Sequence, residues 1–475
     1  MAMRFFLVLM LAAQSTLGQT ELDQVLDGFL DAPPIRDIDA PGEERRDDID
    51  DVLVGSGDEA DPMPAMPDDP AASTEAVRIG GRISQRLIYN FAHGAPSPSG
   101  VDHRGLSSFR TRLDLGVEAD LGPDWRAILE GHAWFDVAAD RQGRPRSYRD
   151  THARDTEIGE FLVQGPLSDR FDLTLGRQVM VWGRSDMFRV TDILNPVDNR
   201  LPGLTDIEDL RLPVVAVRLD HYSDPWTIGM MAIPERRFDR RPAPGSDFHG
   251  PDMPPPPRDM PDRQFGAPEL AASLTGTFPG WDISFYAARV FDDRPHIRMI
   301  DGGGARLRHN RISMIGVAGN VVSGNWLMKA EAASFTGLRF SNVKDRQFTR
   351  LSVLGGLEYS GIENTSIAFE ATNGHIRDFD ERLRELPDDR RRNEMATALR
   401  VTRSFRNDTL DVSLLALTFG PTGKEGAIQR LQLDHDVSDD VQVSAGVVLY
   451  RDGNRTPFRN TGDNDRLFAS IEYHF

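Results

Sequence analysis

The sequence has no cysteine. That excludes a disulfide scaffold, a thiolate zinc site, an iron–sulfur cluster and a cysteine nucleophile. No apolar run approaches the roughly 18 residues a membrane helix needs, and the mean hydropathy is −0.41. Positive charge is short, with 55 Lys+Arg against 74 Asp+Glu and a net charge of −19. A nucleic-acid partner needs a basic face and is therefore not expected. Enzyme signatures are missing too. The 11 His lack zinc-protease spacing. Asp301-Gly302-Gly303-Gly304 is too short for a calcium loop. Gly423-Lys424 lacks the rest of a phosphate loop, and there is no G-x-S-x-G elbow. The expectation is a chain without enzymatic activity, cofactor or metal. A helical membrane protein is excluded, but a transmembrane β-barrel is not. Its alternating strands average to a hydrophilic composition.

The first 18 residues read as a secretory signal. Arg4 gives the positive start, Phe5–Ala13 the apolar core, and Thr16 and Gly18 the small residues before a cut at Gln19. Residues 20–75 hold 18 Asp/Glu and three Arg, so this segment carries −15 of the net charge. It also holds seven prolines. Such a chain buries too little apolar surface to offset its ordering entropy. Residues 19–75 are thus expected to be a mostly disordered acidic periplasmic arm. One amphipathic helix is expected near Glu21–Asp31, where Leu22, Val25, Leu26, Phe29 and Leu30 share a face.

From about residue 76 the dominant period is two. In 109–121 the odd positions are Phe, Thr, Leu, Leu, Val, Ala and Leu, and the even ones are mostly charged. Trp125–Val137 repeats this after a Gly-Pro-Asp turn. These runs exceed the five or six residues usual in a soluble sheet and match strands that cross a bilayer at a tilt. Short turns at 121–124, 165–170, 223–225, 279–280, 323–325, 361–364, 406–408 and 437–440 alternate with long polar links. Eight short and nine long links require 18 antiparallel strands, with 16 as the alternative. Alternation places Arg110, Arg112, Asp114, Glu118, Glu130, His132 and Asp136 on the lumen side. Trp125, Phe171, Trp226, Trp281 and Trp326 each follow a short turn, which puts them in one aromatic girdle. The chain ends in an alternating strand with Tyr473 and Phe475. This resembles the C-terminal signal that barrel-assembly machinery recognises.

The densest local pattern is 175–200. A strand over Phe171–Trp182 is expected to end at Gly183. The loop 184–211 then holds Arg184, Asp186, Arg189, Asp192, Asn195, Asp198 and Arg200 beside Met187, Phe188, Val190, Ile193 and Leu194. Apolar residues and paired charges in one loop imply packing against something. Being the third external loop, it is the candidate pore constriction. Opposed cations and carboxylates across a throat sort solutes by charge and dipole.

Gly176-Arg177-Gln178, Trp182-Gly183 and Asn195-Pro196-Val197-Asp198 together resemble a family of proteobacterial porin-like outer-membrane barrels. That family shares a GRQ…WG strand and an Asn-Pro-x-Asp loop. The GRQ element is more loosely similar to alginate- and phosphate-type porins. The resemblance implies a porin-like or export-associated role in the outer membrane of a Gram-negative bacterium, and it supplies no catalytic residues. The expected function is passive, partly selective diffusion of small polar or amphipathic solutes. The alternative is a non-conducting barrel for docking, or for lipid or hydrophobe export, whose acidic arm recruits a periplasmic partner. Other expected partners are outer-membrane lipid and lipopolysaccharide.

Overall fold

The computed structural model describes residues 76–475, except 97–99, 141–143, 206, 250–254, 261–263 and 301–302. The signal segment and the acidic arm lie outside the described residues. Alternation continues along the rest of the chain and builds strand after strand. The first five are β1 (Val77–Asn90), β2 (Gly105–Gly122), β3 (Trp125–Asp136), β4 (Arg154–Ser168) and β5 (Phe171–Gln178). Next come β6 (Val214–Ser223), β7 (Trp226–Arg236), β8 (Gln264–Phe278) and β9 (Trp281–Phe291). A small hairpin, β10 (His296–Met299) and β11 (Ala305–Arg308), sits in a loop and forms its own sheet. The barrel resumes with β12 (Arg311–Ser323), β13 (Trp326–Leu338), β14 (Phe348–Ile362), β15 (Thr365–Ile376) and β16 (Asn393–Phe405). It finishes with β17 (Leu410–Phe419), β18 (Gly426–Ser438), β19 (Val441–Arg451) and β20 (Arg466–His474).

Eighteen of these strands make one closed antiparallel sheet, because β20 pairs with both β19 and β1. Closure leaves no edge, as hydrocarbon demands of a spanning sheet. The protein is a transmembrane β-barrel with the expected strand count. The eight turns on one rim are tight, and Asp124, Gly280, Gly324 and Asn364 adopt the left-handed backbone some of them need. The outward face is an apolar band that includes Leu113, Leu115, Leu129, Phe285, Ile315, Val353, Leu399 and Ile471.

The five aromatic residues expected to form a girdle start β3, β5, β7, β9 and β13. Their rings meet neighbours: Trp281 stacks on Phe278 at 4.2 Å, Phe171 lies 4.5 Å from His221, and Trp326 4.6 Å from Tyr359. At the seam, Phe475 exchanges two backbone hydrogen bonds with Gly81. A Cβ on residue 81 would sit 2.6 Å from the Phe475 ring, so the close approach requires glycine there.

The nine long links lie on the opposite rim and are termed L1 to L9. L2 (137–153) contains helix α1 (Arg146–His152), and L3 (179–213) contains α2 (Ile207–Leu210). L4 spans 237–263, L5 292–310 and L7 377–392. One sequence expectation needs correction: β5 ends at Gln178, not at Trp182. From Val179 onward apolar residues occupy both parities, so the alternation that defines a wall strand has already stopped. Met180 and Trp182 turn inward and are almost fully buried.

Candidate functional site: the loop-spanned lumen

L3 is held by side chains that point inward from strands on several sides of the barrel. Glu331 of β13 accepts from the backbone N–H of Arg184 (2.6 Å), Ser185 (2.9 Å) and Thr191 (3.0 Å), and from the Thr191 hydroxyl (2.8 Å). Arg184 pairs with Asp282 of β9 at 2.7 Å and donates to the Ser284 hydroxyl. Glu370 of β15 accepts from the Ser185 hydroxyl and the Asp186 amide, and Lys329 of β13 pairs with Asp186. At its far end the loop reaches β1 and β19. Arg86 donates to the Leu204 carbonyl at 3.1 Å and the Tyr450 hydroxyl to the Pro202 carbonyl at 2.6 Å. L3 therefore crosses the inside of the barrel.

Further charges of the loop are tied within it, to L4 or to β4. Asp192 receives Arg189 (2.9 Å) and Arg211 (3.0 Å). Arg200 joins Asp198 and, at 3.0 Å, Asp155 of β4. Arg240 of L4 adds bonds to Asp155, Asp198 and Glu157. Burial alone would raise the Asp198 pKa, but the Arg200 hydrogen bonds and charge outweigh it and hold it below the ordinary carboxylate range. Asn195 is fully buried and clasps the loop's two ends. Its Oδ1 accepts from the Met180 amide at 2.7 Å, while its Nδ2 donates to the carbonyls of Gln178 (3.3 Å) and Leu212 (2.9 Å).

Two kinds of surface meet this loop. Toward β6–β15, Met180, Trp182, Val190 and Leu194 pack with inward-facing Met231, Ile233, Tyr286, Met314 and Phe335. Trp182 stacks on Tyr286 at 4.6 Å. Toward β2–β6 the loop leaves a cavity of about 750 Å³. Arg110, Arg112, Glu118, Glu130 and His132 line it, with Trp134, Glu157, Arg200 and Arg240. Arg110 lies over the Trp134 ring at 3.8 Å. Asp114 sits at the base of Arg112, in a bidentate pair at 2.7 Å, and also meets Arg82. Asp136 has a different place. It is buried at the outer end of β3, where it accepts from the Ser108 hydroxyl and the amides of Phe109, Ala138 and Ala139.

Sequence reading missed the wall partners Asp282, Lys329, Glu331 and Glu370, and the cluster around Glu157. The signal was present, since Lys329 and Glu331 are the charged inward positions of the Trp326–Leu338 run. What was absent was any indication of which strand faces which loop. The charged L7 is also resolved. Asp388 accepts from the amides of Ser341 and Asn342, Asp380 pairs with Arg382 and Arg346, and Asp389 with Arg391 and Arg459.

Solved structures share the architecture. Outer-membrane protein OpdK of Pseudomonas aeruginosa, determined with vanillate, superposes with a TM-score of 0.51 at 11% identity, covering 84% of this chain and 98% of that one. OccAB3 of Acinetobacter baumannii gives 0.50 at 11% identity, covering 84% and 99%. At that identity the likeness shows the fold. No curated protein matches this sequence closely enough to count as a relative. Residues 89–475 match the family described as protein of unknown function DUF1302, and the chain belongs to that family.

Proposed function

We propose that the barrel is a porin-like channel of the outer membrane, reached through the N-terminal signal, for passive and partly selective diffusion of small polar or amphipathic solutes. L3 acts as its constriction, with the 184–211 segment narrowing the path. The observation that carries this reading is the attachment of L3 to inward-facing side chains of β1, β4, β9, β13, β15 and β19, beside a charged cavity of about 750 Å³. A throat bounded by opposed guanidinium and carboxylate groups discriminates solutes by charge. The lumen charges at Arg110, Arg112, Asp114, Glu118, Glu130 and His132 belong to that path.

A second reading is a non-conducting barrel for docking or hydrophobe export, with the acidic arm as the periplasmic contact. The dense apolar packing of L3 on the β6–β15 wall supports it. Single-channel conductance of the mature chain, with and without residues 20–75, separates the two. Defined steps in both forms support the channel. Steps only after removal of the arm make the arm a plug. Silence from folded protein in both forms sinks the channel.

A further inference from the structure

The barrel wall is interrupted on one side. β5 has eight residues, the fewest of the described barrel strands. At about 3.3 Å per residue and a tilt near 40°, it rises about 20 Å, short of an apolar band about 25 Å tall. Its ladder with β4 stops at Phe161↔Arg177, so residues 154–160 of β4 have no partner in β5. The β6–β7 ladder stops at Val217↔Ala232, so 233–236 of β7 have none in β6. β6 itself runs on to Val214, paired with Gln178 of β5, so it parts from β7 over 214–216. Beyond Gln178 and Val214 two strand positions, a width of about 10 Å, lie between the outer part of β4 and the end of β7 at Arg236.

Side chains fill the space where strands would be. Arg177 pairs with Glu157 (3.2 Å) and Glu235 (3.0 Å), and Glu157 also takes Arg237. Glu235 accepts from the Val215 amide and Glu160 from the Val179 amide, both in place of ladder bonds. The depth is still that of the membrane, because the outward neighbours Ile158, Phe161 and Phe265 are 58%, 58% and 63% exposed apolar side chains. Charges at such depth are expensive and mark function more often than scaffold. The Arg177 Nε is buried and has no acceptor among the described residues. Directly behind lies the lumen cavity, whose lining includes Glu157, Leu162, Gln178, Val179, Leu212 and Pro213. That lining carries both polar and apolar groups.

We propose that this interruption is a lateral portal through which a single-chain amphiphile passes between the lumen cavity and the outer leaflet, its polar headgroup received by Arg177. The proposal rests on the reading of the lumen as a solute passage, and it narrows the solute to molecules that partition into membranes. Opening exchanges the Arg177–Glu235 pair for a headgroup acceptor, while the acyl chain slides past Ile158 and Phe161. The Arg of the GRQ element thereby acquires a role in recognition as well as in wall closure.

The test uses the full mature chain in liposomes and lauric acid carrying a chain-end diazirine. After illumination, adducts are mapped by peptide mass spectrometry. Enrichment in 157–162, 177–181, 212–215 and 233–237 over the far-side band at Leu399 and Leu414 is expected. Adducts spread evenly around the band, or missing from those four segments, overturn the portal. A second protein joins E157C and R237C with a bifunctional maleimide, which finds no other thiol because the chain has no cysteine. Labelling of Leu162 and Val179 is then lost, while the unstapled double variant keeps it and the far-side band at Leu399 and Leu414 is labelled as before. Labelling that survives the staple also overturns the portal. Conductance measured on the same liposomes judges the channel separately, since labelling needs no ion flow.

Discussion

On the β6–β15 side of the lumen, inward positions hold Met231, Ile233, Tyr286, Val290, Ile312, Met314, Phe335 and Ile376. On the β1–β4 side they hold Arg82, Arg110, Arg112, Asp114, Glu118, Glu130, His132 and Glu157. Both walls obey the same two-residue alternation, and both have lipid outside. L3 lies between them. It offers Trp182, Val190 and Leu194 to the first wall and Asp198 and Arg200 to the second. The first contact excludes water and fixes the loop. The second leaves a wet, charged space. The loop is therefore a partition, and what it leaves open is decided by which wall it packs against.

The two walls should respond differently to substitution. Trp182→Ala should have the largest effect on the stability of the barrel as a whole. It removes a buried aromatic from the packed side and should cost about 3–5 kcal/mol, read as a lower denaturant midpoint of the folded barrel. Trp134→Ala on the open side should cost less and should instead change conductance, because this ring, though as buried as Trp182, is covered by the Arg110 and Arg200 guanidiniums and lies outside the apolar cluster. Equal losses for the two would mean the walls are not different in kind.

Glu331→Ala strips L3 of four hydrogen bonds to one buried carboxylate. Bonds to a charged group contribute about 1.5–3 kcal/mol each before relaxation. The loop should detach locally, and single-channel conductance should rise several-fold with the barrel still intact by heat-shifted gel mobility. Unchanged conductance would show that L3 does not set the limiting width.

A smaller effect should come from acid. Burial, aided by Arg200 and Arg110, pushes His152 in L2 down to about 3, and burial pushes His309 in L5 down to about 4. Both values lie below the ordinary value near 6.5. The folded loops thus favour neutral rings. Their contribution is complete above pH about 6.5 and is lost as pH falls toward 4, by up to about 1.4 kcal/mol per ring and pH unit. Amide exchange in L2 and L5 should speed up over that window, and His152→Asn should flatten the L2 response.

Asp380→Asn should change least. Its partners Arg382 and Arg346 are solvent-facing, and exposed pairs contribute little. Conductance and denaturant midpoint should both stay as in the parent protein. A clear shift in either would show that L7 takes part in the mouth.

The barrel itself was legible in the sequence. Alternation in 109–121 and 125–137, the parity of short and long links, and the aromatic residues after five of the eight short turns all report local geometry, which a strand imposes residue by residue. The L3 residues were legible as a group, since apolar and paired charged residues in a loop signal burial. The end of β5 was legible only in part. Val179–Trp182 has the apolar character of a strand but not its alternation, and in the fold the Met180 amide bonds Asn195 and Trp182 stacks on Tyr286.

The sequence by itself therefore determined the closed barrel, because every peptide group in hydrocarbon must pair and alternation says which side chain meets lipid. Only the assembled barrel sets which wall L3 packs on, which carboxylate holds which amide, and where the strand ladder stops between β4 and β7. Those contacts join residues up to 248 positions apart, as in Tyr450 with Pro202. No local periodicity encodes them, since they depend on how far around the closed sheet each strand has been carried.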